Sequence, residues 1–306
     1  MAERKALAIM ALTWAIAIGL VSAEGPKAPQ VTPEEFEAKL GYQTGTVALK
    51  NGMATIRMPP SFRFIGPEGS RRLLVEAWGN PPGAAEGVLG MLIPAAVSPL
   101  TAEGWGIVIT YDEDGYVDDK GAASIDYDKL LKEMQESIAA ANPERKKAGF
   151  QPMTLVGWAE PPAYDPATHK MYWAKELAFA DNTAHTLNYN IRILGRHGVL
   201  VLNAVAAMSQ LEAIHAQTPE VISAVEFNDG HRYADYLPGK DKVAKYGLTG
   251  LLLGAVAAKA GFFKLLWVGI LALKKFIVVG VVALIAAIKR LFGIEKKKNP
   301  YDSPQT

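Results

Sequence analysis

The chain contains no cysteine. That excludes disulfide scaffolds, thiol catalysis, Cys-ligated zinc or iron–sulfur centres, and the lipid-modified cysteine of a bacterial lipoprotein. Histidine is scarce as well: His169, His185, His197, His215 and His231 are the whole set. None of them has HExxH spacing or a histidine four residues away, so no helical zinc motif is present and no metal or cofactor is expected. GxSxG, P-loop and Rossmann fingerprints are missing too, which leaves serine-hydrolase, nucleotide and dinucleotide chemistry without support.

Net charge is also small, +1, but it is unevenly spread. Residues 24–244 carry 20 Lys+Arg against 28 Asp+Glu, and residues 245–306 carry 10 against 2. A nucleic-acid binder would place its basic patch on the folded domain, so no nucleic-acid partner is expected. A basic apolar tail suits the anionic surface of a lipid bilayer.

Both ends point to a membrane. Arg4 and Lys5 precede an apolar run from Ala6 to Val21, and Val21-Ser22-Ala23 supplies small residues at a cleavage site. These are the parts of a secretory signal, expected at 1–23 and cut after Ala23; an uncleaved N-terminal anchor is the alternative. A Pro-rich linker is expected over 24–33. Residues 245–292 read as a membrane-anchoring helical segment. Its cleanest run, Ile277–Ile288, would span only about 18 Å of a core of roughly 30 Å, so a crossing has to reach back past Lys274 and Lys275. Lys259, Lys264, Lys274, Lys275, Lys289 and Arg290 share one broad stripe of a helix at about 100° per residue. A single transmembrane helix with the stripe against a partner helix, a hairpin, and a helix lying in the interface all fit. The basic tail at 293–306 is expected in the cytoplasm by the positive-inside rule, which favours one crossing.

Between the ends, residues 34–240 read as an extracytoplasmic α+β domain, an antiparallel sheet flanked by helices. Asn51-Gly52 between two alternating runs predicts a hairpin. Residues 66–78 and 128–141 predict helices; 88–94, 105–111, 154–158, 170–179 and 199–206 predict strands, with Tyr116-Val117 resuming the sheet after an acidic turn. Leu187, Tyr189, Ile191 and Ile193 alternate with Asn188, Asn190 and Arg192, the period of a half-buried strand. Ser209-Gln210-Leu211-Glu212 reads as a capping box opening a helix that Thr218-Pro219 restarts or kinks. The closing strand–turn–strand–helix–strand unit resembles the ending of the Mog1/PsbP-like fold.

Two stretches carry candidate chemistry. Asp112, Asp114, Asp118 and Asp119 crowd one hairpin, but their spacing is not that of an EF-hand, so a solvated turn is expected. The loop from Trp158 to Trp173 is the densest mixture of aromatics, acids and histidine. Its candidate binding residues are Trp158, Glu160, Tyr164, Asp165, His169 and Trp173. Glu160, Asp165 and His169 would serve acid–base chemistry if they converge in a cleft; otherwise the loop is a Pro-rich connection whose rings pack on the sheet.

Several motifs taken together, Gly79-Asn80-Pro81-Pro82, Gly104-Trp105-Gly106, Tyr111 to Val117, Gly157-Trp158-Ala159, Tyr172 to Leu177 and Phe227 to Tyr233, resemble the domain-of-unknown-function family 2167 of membrane-anchored bacterial proteins. The resemblance covers about 31–292 and implies that topology, with no catalytic residues to carry over. The expectation is an exported, non-enzymatic envelope protein of the bacterial inner membrane. Its periplasmic domain would bind a ligand or partner, and its C-terminal helix would meet another membrane protein or a second copy. The alternative is a periplasmic hydrolase using the acidic and histidine residues of the 158–173 loop.

Overall fold

The computed structural model describes residues 32–147, 151–179 and 184–253. The hairpin expected at Asn51-Gly52 is formed by β2 (Thr46–Leu49) and β3 (Ala54–Arg57), after a short helix α1 (Pro33–Ala38) and strand β1 (Tyr42–Gln43). Asn51 and Gly52 turn the chain at φ 58° and 81°, the left-handed region these two residue types enter at least cost. Strand alternation sends Val47, Leu49, Ala54 and Ile56 to the buried side.

The main sheet has eight strands in the order β1-β4-β5-β6-β10-β9-β8-β7, all neighbours antiparallel. It comprises β4 (Phe62–Ile65), β5 (Val88–Pro94), β6 (Ile107–Asp112), β7 (Met153–Asp165), β8 (Lys170–Phe179), β9 (Thr186–Leu194) and β10 (Val199–Ala207) with β1. Helix α4 (Leu211–Ala224) and a second sheet, β11-β3-β2, with β11 at Val225–Phe227, cover one face. The main core lies there, where Phe62, Leu92, Ile109, Ile191 and Leu202 meet Ile56, Ile214 and Val221. On the other face, helix α2 (Pro67–Arg71) runs into a π-helical turn, Arg72–Ala77, that packs Leu73 and Leu74 against β5. Helix α3 (Tyr127–Lys147) lays Leu130 and Met134 over Leu155, Trp173 and Leu177. This is the α+β arrangement, with its large antiparallel sheet and flanking helices.

Four local features differ from the sequence reading. The stretch after Trp158 is not a loop: β7 continues through Pro161 and Pro162 to Asp165, with register shifts at Leu155/Gly157, Trp158/Glu160 and Glu160/Ala163. An edge strand tolerates proline because one row of its N–H groups has no ladder partner, and bulges absorb the extra residues. Tyr116 makes only an isolated parallel bridge to Val243. Ser209 does not cap α4; a 3-10 turn at Met208–Gln210 leads in, and the Gln210 side chain accepts the Ala207 N–H at 3.0 Å. Strand β9 is buried on both faces. Its polar side carries a ladder in which Asn188 donates to Asn203 (3.0 Å), Asn190 to Asn188 (2.9 Å) and Arg192 to Asn190 (3.3 Å). Lys175 lies opposite Asn188. Burial, and then the Arg192 charge, push its ammonium down to about 8.

Helix α5 (Leu248–Leu253) buries Leu248 and Leu251 beside Leu194, Val199 and Val201 of the sheet. Among the described residues no helix is long and apolar enough to cross a membrane. The expected signal peptide, the linker up to residue 31 and the stripe from Lys259 to Arg290 lie outside the described residues.

Candidate ligand-binding cleft

A cleft of about 420 Å3 opens between α4 and the β7–β9 end of the main sheet. Helix α4 turns Ile214, Thr218, Val221 and Ala224 into the core. The adjoining stripe of His215, Pro219, Ile222 and Ser223, at i, i+4, i+7 and i+8, forms one wall of the cleft. The sheet supplies the other wall. Across it, Glu160 pairs with Ala174, Ala174 with Tyr189 and Tyr189 with Ala204, so two alanines flank a tyrosine and leave room beside its ring. The bulges on either side of Glu160 set its register opposite Ala174, on the α4 side.

The polar groups of the cleft divide into committed and uncommitted. Lys170 is committed: its ammonium donates to the carbonyls of Ile222 (2.6 Å) and Val225 (3.0 Å), tying down the C-terminal end of α4, where a cation also meets the negative end of the helix dipole. Burial holds its pKa below the ordinary lysine range. Asp165 is committed to its own turn, accepting from Thr168 Oγ1 (2.6 Å) and the Ala167 N–H (2.9 Å). These two bonds hold its carboxyl below the usual carboxylate range. Glu226 pairs with Arg57 at 2.8 Å. Thr218 and Ser223 donate to the carbonyls of Ile214 and Glu220 within their own helix. Glu160 Oε2 lies 2.9 Å from His215 Nδ1, and the same carboxylate acts on the Tyr189 hydroxyl. The Tyr189 hydroxyl is buried at the cleft wall with no hydrogen-bond partner within 3.5 Å among the described residues, Thr218 and Glu160 being the side chains that act on it. Burial pushes its phenol well above the ordinary tyrosine value, so it stays protonated at neutral pH.

The six candidates from the 158–173 stretch go to three places. Glu160 and Asp165 line the cleft. Trp158 and Trp173 pack under α3 on the opposite sheet face; Trp158 Nε1 donates to the Tyr127 carbonyl at 3.4 Å, and Arg192 sits 4.9 Å over the Trp173 ring. Tyr164 and His169 join Asp119. The Tyr164 hydroxyl donates to Asp119 in a very short contact, and His169 Nδ1 stands 3.2 Å from both Asp119 Oδ2 and the Tyr164 hydroxyl. His169 has φ 54° and stacks on Tyr233, which stacks on Tyr116 and, through it, on Tyr236. Glu160, Asp165 and His169 therefore form no common hydrogen-bonded group, because strand alternation and the 165–169 turn send the histidine elsewhere. Asp114, meanwhile, accepts from Tyr246 at 2.9 Å, so the acidic hairpin is divided among separate partners. Among the described residues no group of three or more metal-ligating side chains gathers. His215, Tyr189, Tyr172, Lys170 and Glu226 are among the cleft residues that sequence reasoning missed. Only the i, i+4 spacing of His215 and Pro219 on one helix hinted at a shared wall.

The molecule is thus a mixed α+β domain with a ligand-sized cleft between a helix and a sheet end. The chain belongs to the DUF2167 family of proteins of unknown function, whose model matches residues 41–285. No curated protein matches it. Among solved structures it is similar to the cyanobacterial PsbP of Synechocystis sp. PCC 6803, at 11% identity over 62% of this chain and 94% of that one, with a TM-score of 0.34. It is also similar to the Ran-binding protein Mog1p of Saccharomyces cerevisiae, at 14% identity over 61% and 96%, with a TM-score of 0.31.

Proposed function

We propose that this chain is an exported envelope protein, held at the bacterial inner membrane by its 245–292 segment, whose periplasmic domain binds a small ligand in the cleft under α4. The observation that carries the binding half is the Tyr189 hydroxyl, buried and unpartnered at the wall of a 420 Å3 cleft. Leaving a buried polar group unsatisfied costs about 1–3 kcal/mol, a cost a ligand removes on binding. The cleft volume lies within the roughly 300–1,000 Å3 of small-molecule sites. The membrane half rests on the signal-like N-terminus and on the apolar, lysine-striped C-terminal segment, whose stripe suits contact with another membrane protein or a second copy.

The membrane half is tested in cells by alkaline extraction and by protease treatment of spheroplasts. The chain should stay in the membrane pellet with its domain cleaved and its tail protected; extraction into the soluble fraction, or a cleaved tail, overturns it. The binding half is tested with the full chain in detergent, by comparing its thermal midpoint across a library of small polar and amphipathic compounds for the wild type and Tyr189→Trp. Shifts confined to the wild type support it, and a library equally silent or equally active on both chains refutes it.

A hydrolase is the second reading, favoured by the Glu160–His215 hydrogen bond inside the cleft. The α4 hydroxyls of the cleft, Thr218 and Ser223, are turned to carbonyls of their own helix, so any such chemistry would need Glu160 to activate water. Hydrolysis of ester and glycoside reporters that vanishes in Glu160→Gln is its signature, and equal rates in both chains remove it.

A further inference from the structure

The charge and the rings of the cleft together say which kind of ligand it takes. The ionisable groups facing it are Glu160, Asp165, Glu226, Lys170 and His215. Two of the three carboxylates are answered within the protein, Asp165 by its turn and Glu226 by Arg57. The one nearby ammonium, Lys170, is buried and spends two of its N–H donors on carbonyls. A negatively charged ligand would therefore meet carboxylates and a cation already occupied. A positively charged one would meet Glu160, a mostly sheltered carboxylate whose Oε2 is oriented by His215. The buried Tyr189 hydroxyl, on which Glu160 also acts, supplies a second acceptor, and the rings of Tyr172 and Tyr189 that line the cleft carry the quadrupole that attracts a desolvated cation. Ile222 and Pro219 complete an apolar wall.

We propose that the cleft under α4 binds an ammonium or guanidinium group carried on an apolar stem, with Glu160 as its counter-charge, Tyr189 accepting one of its N–H bonds, and Tyr172, Pro219 and Ile222 holding the stem. This rests on the binding half of the reading above and adds the sign of the ligand's charge to it.

Three probes of one shape separate the two claims: benzylammonium, benzyl alcohol and benzoate, titrated by calorimetry into the full chain in detergent. Benzylammonium should bind at a Kd of about 1 mM or below, as suits a fragment of this size, while the other two bind at least about tenfold more weakly, a gap of roughly 1.4 kcal/mol. Glu160→Gln, which keeps the shape of the side chain, should abolish that preference without moving the thermal midpoint. Tyr189→Phe should weaken benzylammonium while leaving benzyl alcohol unchanged. Equal or tighter binding of benzyl alcohol or benzoate overturns the charge assignment and leaves the cleft standing as a site. Silence from all three probes, or a benzylammonium signal unchanged in Glu160→Gln and Tyr189→Phe, overturns the assignment together with the cleft that it presupposes.

Discussion

Glu160 and His215, from the edge strand β7 and the helix α4, meet at 2.9 Å although 55 residues separate them in the chain. The imidazole is 63% exposed and the carboxylate 14%, so the contact joins a solvated ring to a mostly sheltered acid. A contact with so exposed a partner contributes little to folding, typically below about 1 kcal/mol. His215→Ala should accordingly leave the urea midpoint of the domain almost unchanged, while lowering benzylammonium affinity by freeing the Glu160 side chain to rotate. A large loss of stability in that variant would show that the pair holds the fold together.

Asp119 ties the 165–169 turn to the tyrosine stack. Burial works to raise its carboxyl, but hydrogen bonds from Tyr164, Tyr233 and His169 outweigh that and hold it below the ordinary aspartate value. A depressed carboxylate contributes stability that is complete above the unfolded value, about 3.9, and is lost as pH falls through the lower folded value. Asp119→Asn should therefore lower stability at neutral pH by about 1–3 kcal/mol. Below about pH 4, its melting curve should converge on that of the wild type. Parallel curves down to about pH 2 would contradict this.

Lys175 works in the opposite sense. Its folded pKa is lowered to about 8 from an ordinary 10.5, so the unfolded chain binds more protons between those values and stability should rise with pH across that window. Lys175→Met removes the buried charge with similar length and should raise the unfolding free energy at pH 7 by an amount in the range of about 1–4 kcal/mol that such replacements give. It should also flatten the climb above pH 8. Denaturant titrations at pH 7, 8 and 9.5 read both effects, and a destabilised variant with an unaltered climb would refute them.

Gly87 and Gly90 separate conformational strain from steric contact. Gly87 has φ 72° and open space for 4 Å around the point where a Cβ would stand, whereas a Cβ at Gly90, φ 154°, would fall 2.1 Å from the Phe64 ring and 2.8 Å from the Ile65 carbonyl. Gly87→Ala should cost about 1–2 kcal/mol, the penalty of a left-handed alanine. Gly90→Ala adds displacement of a buried ring and should cost about 1–3 kcal/mol more. Equal losses in the two variants would mean that β5, whose register against β6 shifts between Val88 and Gly90, yields to accommodate the methyl group.

Local signals in the sequence translated well where one residue type dictates one backbone state. Asn51-Gly52 did so, as did the alternation of β9 and the long amphipathic period of α3. They translated poorly where tertiary contacts decide. The prolines at 161 and 162 argue for a loop, yet on the last strand of a sheet their missing N–H groups cost nothing, so β7 runs on. The asparagines and arginine of β9 argue for a solvent face, yet they satisfy one another in a ladder that helices can cover. The cleft was half legible. Glu160 and Asp165 stood out by composition, but their neighbours Tyr189, His215 and Glu226 come from three elements up to 66 residues farther along the chain, and only the strand order brings them together. His169, at φ 54° where the turn ends, meets Asp119 and Tyr164 and not Glu160.

Helix α5 has a mechanical meaning for the membrane-held reading. Its leucines are anchored in the sheet, with Leu248 and Leu251 each only 3% exposed beside Leu194, Val199 and Val201. On that reading, tension from the C-terminal side would be taken up by the β9–β10 hairpin, in the middle of the sheet, and not by a peripheral strand.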